Sequence, residues 1–228
     1  MERNEINDNI HVLETIVPVE KQMEYFRYTE SVRRNLKNES IEDLIEYLEN
    51  SETPLADQKY ILSILAVSGN VKAFRAIEAY SRSGFDPALR DWVAMSILQA
   101  KITLESEFSD ERQVFIFSGL GGKGNHLRFY AFFRSNQLQP FTDYQRDLIR
   151  QEFFCSIQKY KGETEEIKIE RNYFYILFLI HLEEDITKMM QDALNECNEY
   201  GDFIRSDFIV TNVKRFDEYD IERELKRQ

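Results

Sequence analysis

Apolar positions change period near the middle of this chain. Up to about residue 105 they recur every three or four residues, as in amphipathic helices with one buried stripe. A polar lead-in ends in Val12-Leu13-Glu14-Thr15-Ile16-Val17, which reads as a segment docking on the first helix. Pro18 suits a first helical position, and residues 19–37 place Met23, Phe26, Val32 and Leu36 on one side. Residues 41–49 follow, with Ser40 as N-cap and Asp43 where a capping box has Glu. Pro54 opens a third helix whose stripe is Tyr60, Ile61, Ile64, Leu65 and Ser68, closed by Gly69. Residues 71–81 carry Ala73, Phe74, Ile77 and Tyr80, and residues 88–105 carry Leu89, Trp92, Val93, Ser96, Ile97 and Ala100.

Residues 106–112 are a charged boundary, after which the apolar residues alternate or run together as in strands. Residues 114–117 and 127–133 predict two strands joined by the glycine-rich stretch 118–126. A helix from Thr142 or Asp143 to about Tyr160 buries Leu148, Ile149, Phe153 and Ile157. Ile167-Lys168-Ile169-Glu170 alternates, and is either a separate strand turning at Arg171-Asn172 or the start of one long strand. Residues 172–182 form the most apolar run. It is shorter than the roughly 20 residues a membrane helix needs, and it is rich in aromatic and branched residues, so it predicts a central strand. A helix over 185–200, a strand over 208–213 and a short charged helix over 221–226 complete the chain.

The fold class expected is α+β in two parts: an α-helical repeat-like layer over 1–108, then a β-β-α-β-(β)-α-β domain over 109–228. Both alternating sets of the central strand, Tyr173/Tyr175/Leu177/Leu179 and Phe174/Ile176/Phe178/Ile180, are apolar. Two helices cover one face of a sheet, so the other face is expected to meet the N-terminal helices or a second copy, which motivates a homodimer.

Within the helical layer, Gly69-Asn70-Val71-Lys72-Ala73-Phe74 and Asp86-Pro87-Ala88-Leu89-Arg90-Asp91-Trp92-Val93-Ala94 resemble a HEAT-type repeat. In that family an Asp-Pro pair opens the second helix and an Arg soon after braces the turn; Asp86, Pro87 and Arg90 stand at those places. The resemblance spans about residues 41–105, or two repeats. Trp92 is larger than usual there, and the preceding repeat lacks the Arg. It implies an interaction scaffold and no catalytic residues.

A hydrophobic fraction of 43% supports folded structure, and 8 Gly with 4 Pro argue against long flexible linkers. The net charge of −12 disfavours a phosphate backbone as partner, so nucleic acid is not expected, whereas a basic protein partner suits it. The polar start Met1-Glu2-Arg3-Asn4-Glu5 and the lack of a membrane span point to a cytoplasmic protein. Cys155 and Cys197 are too few for a disulfide framework and read as reduced core residues.

The sharpest local feature is four glycines in the six residues 119–124. Gly121, Gly122, Lys123, Gly124 and His126 could present an anion- or partner-binding loop. The spacing is not that of a P-loop, because Lys123 precedes Gly124 and the stretch leads into a strand rather than a helix. A hairpin turn needing positive φ is the plainer reading. His11, His126 and His181 fall in three separate regions with no metal-ligand spacing, so neither metal nor cofactor is expected. His181 beside Glu183-Glu184-Asp185 invites acid–base chemistry, although acidic residues there also suit a helix start. Arg128 and Arg134 are interleaved with Phe129, Tyr130, Phe132 and Phe133, a pattern read as core first and as a single-strand stacking platform second. With no nucleophile identified, the expectation is a non-enzymatic protein-interaction or adaptor module. Small-anion or nucleotide binding at residues 119–124 is the alternative, and an acidic inhibitor or immunity-type protein a further one.

Overall fold

The computed structural model describes residues 10–34, 39–108 and 114–227. The lead-in at 1–9, the helix end at 35–37 with Leu36, and the boundary residues 109–112 lie outside the described residues. The chain divides into two compact units, Met1–Ile116 and Phe117–Gln228. The α+β class holds, with helices first and a sheet-and-helix region after. Among the described residues no helix is long and apolar enough to cross a membrane.

The first unit contains α1 (Val19–Arg34), α2 (Ile41–Glu49), α3 (Leu55–Val67), α4 (Val71–Arg82) and α5 (Arg90–Phe108). Each start has a local cause. Ser40 Oγ accepts from the Asp43 N–H, Asn70 Oδ1 from Lys72, and Asp86 Oδ1 from Ala88 just before α5. Gly69 takes φ 65°, which ends α3. Helix α3 is more enclosed than its expected stripe, because α1, α2, α4 and α5 all pack on it. Its Ile61, Leu62, Ile64, Leu65 and Ala66 are all buried. Trp92 of α5 is buried against it and donates from Nε1 to the Lys59 carbonyl at 3.1 Å and Ser63 Oγ at 3.2 Å. Helix α2 also packs on α4, so α2 with α4 and α3 with α5 form two layers.

One expected pairing is wrong. Residues 114–117 do not form a hairpin with 127–133; β2 (Val114–Ile116) pairs in parallel with β1 (Ile10–Val12) inside the first unit. A three-residue strand carries little pattern of its own, and its partner lies some hundred residues away, beyond the reach of local reading.

The second unit is built on β4 (His126–Arg134) and β6 (Tyr173–His181), paired antiparallel along their full length. Strand β5 (Glu163–Ile169) flanks β6, while β3 (Gly122–Lys123) and β7 (Ile209–Thr211) share the other edge of β4. Strand β5 is separate from β6, settling the choice the sequence left open. Helices α6 (Asp143–Lys159) and α7 (Ile186–Asn198) cover the inner face. Alternation assigns Ala131, Phe133, Phe174, Ile176, Phe178 and Ile180 to that face, against Ile149, Phe153, Ile157, Met189, Met190 and Leu194. Burial pushes the Cys197 thiol up to about 12, as befits an inert core residue. Cys155 is instead exposed, because it sits about 200° around α6 from both Phe153 and Ile157.

Gly162 joins α6 to β5 where no side chain fits. A Cβ there would lie 2.8 Å from both Ile157 Cγ2 and the Leu179 carbonyl oxygen. Gly162→Ala is therefore expected to destabilise the second unit by about 2 kcal/mol, measured by urea denaturation. Unchanged stability would show that the α6–β5 joint yields.

Candidate functional site

The outer sheet face carries the residues with chemical character. Alternation sends His126, Arg128, Tyr130, Phe132 and Arg134 of β4 there, with Tyr173, Tyr175, Leu177, Leu179 and His181 of β6. The register shift in β5 between Thr164 and Glu166 is a bulge, and Glu163, Glu165 and Glu166 all reach cations of this face. Lys123 Nζ lies 3.3 Å from Glu163. Arg128 binds Glu165 bidentately at 2.5 and 2.7 Å and donates to the Leu120 carbonyl at 2.7 Å. Arg215 pairs with Glu166.

An aromatic cluster occupies the middle of the face. Tyr130 lies 5.2 Å from both Tyr175 and Phe216, and Phe132 lies 5.5 Å from both Tyr173 and Phe216, all with tilted rings. The Arg215 guanidinium sits over the Tyr175 ring at 5.6 Å. Tyr175 donates its hydroxyl to Glu166 at 2.9 Å. Partial burial pushes the Glu166 carboxyl up, but the bonds from Tyr175 and Arg215 outweigh it and hold it below the usual range. Burial raises the phenols of Tyr173 and Tyr175, so both are neutral at physiological pH. Tyr173 and Tyr175 are half-buried, whereas Tyr130 is buried and its hydroxyl has no partner among the described residues.

This face also corrects the packing expectation. Its cover comes from Leu120, Phe216, and Ile221 and Leu225 of α8 (Glu218–Leu225), all in the same unit. The argument for a homodimer, which required an outside cover, loses its ground.

The expected loop residues form a turn and a short ladder. Gly121 has φ 68° and donates to the Ser118 carbonyl, and its own carbonyl accepts from Ser118 Oγ and from the Arg128 N–H. Gly122 and Lys123 pair with Leu127 and His126, and Gly124 at φ 55° makes the turn. The structure brings together two residues that sequence spacing kept apart: His181 is the direct cross-strand partner of His126, with ring centroids 5.5 Å apart. His181 Nδ1 accepts from the Glu183 N–H at 3.4 Å. His11 lies in the first unit, 3.1 Å from Glu105. Among the described residues no group of three or more His, Cys, Asp or Glu could hold a metal ion. Arg128 and Arg134 sit on the outer face as their spacing suggests, but both are bonded into the fold, and the half-buried tyrosines belong to β6.

No family model matches the chain, and no curated protein matches it. Two solved structures are similar to it over about half its length. One is described as a "putative transposase" from Deinococcus radiodurans R1, with 12% identity over 47% of this chain and 95% of that one, at a TM-score of 0.41. The other is a REP-associated tyrosine transposase bound to a REP hairpin, with 9% identity over 50% of this chain and 68% of that one, at a TM-score of 0.35. The first is described only as a putative transposase, and the second carries a bound hairpin; neither is described as an adaptor module. Against these neighbours the adaptor reading and the setting aside of nucleic acid are withdrawn.

Proposed function

We propose that the second unit binds single-stranded nucleic acid along the Tyr173/Tyr175 row of its outer sheet face. The observation that carries this is the pair of half-buried tyrosines on alternate residues of the central strand, one of them already stacked under a guanidinium. Alternate strand residues stand about 7 Å apart, a spacing that lets successive unstacked bases each meet one ring. Lys168 and Arg215 flank the row, each paired with a carboxylate, Glu170 and Glu166. A phosphate takes over such a cation only by displacing the carboxylate. With a net charge of −12, binding is then weak and strongly salt-dependent, with a dissociation constant on the order of 10 μM at low salt.

Fluorescence anisotropy with a labelled oligothymidylate tests this. Tyr175→Ala is expected to weaken binding by about tenfold, since each stacked base contributes roughly 1–3 kcal/mol, and duplex of the same length should bind less well. No binding at low salt, or an affinity in Tyr173→Ala and Tyr175→Ala equal to that of the unsubstituted chain, would refute the assignment. For residues 41–105 we retain the HEAT-like assignment as a proposal of fold relationship, supported by the two layers and the Asp86 cap. A cytoplasmic location accords with this reading.

A further inference from the structure

The tyrosine face is only half open. Tyr130 and Phe132 are each 1% exposed, and beside Leu120 and Ile209 at the rim, what shuts them in is the segment 213–225. Phe216 lies against both rings, while Ile221 and Leu225 of α8 pack on the same cluster. The attachment is ionic as well as apolar. Arg215 pairs with Glu166 of β5, and Arg134 of β4 donates to the carbonyls of Glu224 and Arg227. Closure also carries a penalty, because it seals in a Tyr130 hydroxyl that finds no hydrogen-bond partner among the described residues.

We propose that residues 213–225 form a displaceable strap over a larger binding face. Closed, the strap leaves only the rims of Tyr173 and Tyr175 accessible; displaced, it adds Tyr130 and Phe132 to them as a four-ring platform. A single strand and the strap compete for the same rings. The strand's phosphates compete with Glu166 for Arg215, so the ligand favours the open state through contacts that the closed state lacks. The inference rests on the nucleic-acid reading and gives its regulation: affinity is reduced by the fraction of molecules that are open.

Phe216→Ala in the full chain tests it, because it loosens the strap without changing charge. Two readouts are taken: amide hydrogen exchange of residues 214–225 without ligand, and affinity for the labelled oligothymidylate. Faster exchange together with about tenfold tighter binding is expected, since weakening closure raises the open fraction. Adding oligonucleotide to the unsubstituted protein should likewise speed exchange in this segment. Unchanged exchange, or faster exchange with equal or weaker binding, overturns the strap while leaving the nucleic-acid reading standing. Absence of binding in both proteins is instead the failure of that reading. Should Phe216→Ala fail to fold, Ile221→Ala loosens the same contact from α8 and is read in the same way.

Discussion

Phe174→Ala is expected to cost the second unit about 4 kcal/mol, enough to leave it largely unfolded if its total stability is ordinary. Phe174 is 0% exposed, one residue into β6. Its ring stacks on Phe133 at 4.7 Å and meets Phe153 and Phe141 edge-on at 5.2 and 5.9 Å. These neighbours sit on β4, on α6 and on the segment leading into α6, which are fixed by the sheet ladder and by the Thr142 capping box. They cannot collapse into the space a lost ring leaves, so the cavity cost adds to the lost transfer energy. Phe154, next to Phe153 on α6, is 44% exposed, and its alanine variant should change stability by less than about 0.5 kcal/mol. Urea denaturation followed by circular dichroism measures both. Trp92, the single tryptophan, reports on the first unit through its fluorescence and separates the two transitions. Similar losses for Phe174 and Phe154 would contradict the assigned inner face.

Local chemistry made most of this fold legible. Ser40, Asn70, Asp86, Thr142 and Asp185 each stand at a start the spacing predicted, and each side-chain oxygen accepts the backbone bond expected of a cap. The alternation in β6 correctly announced two covered faces. It could not announce the cover, since which segment lies over Tyr130 depends on where residues 213–225 return in space. The pairing of β1 with β2, and of His126 with His181, escaped for the same reason: both join residues far apart in the chain. The interleaving of Arg128 and Arg134 with aromatic residues was visible, but their carboxylate partners Glu165 and Asp207 lie on other elements. Spacing along β4 therefore placed both arginines among the aromatic residues but could not show the carboxylates that bind them.

Arg134 shows what that commitment is worth. Its side chain is buried, and it spends its donors on the Glu224 carbonyl at 2.6 Å, the Arg227 carbonyl at 2.8 Å and the Asp207 carboxylate. Those carbonyls belong to the end of α8 and the residues just after it, where a positive charge offsets the helix dipole. Arg134→Met keeps an apolar stem but removes every donor, and it is expected to destabilise the second unit by about 3 kcal/mol. Arg134→Lys should restore only part of this, since one ammonium cannot reproduce the planar fork. The effect should depend on pH in a definite sense. Partial burial pushes the Asp207 carboxyl up, but the Arg205 hydrogen bond and the charges of Arg134 and Arg205 together hold it below its ordinary 3.8. A carboxylate depressed in this way stabilises the fold above its ordinary value, and the contribution is lost as pH falls through the lower folded value. Part of that acid-side loss should vanish in Arg134→Met, which denaturation at pH 7 and near pH 3 would reveal. Equal stability of Arg134→Met and the unsubstituted chain at pH 7 would mean that α8 is held by its apolar contacts alone.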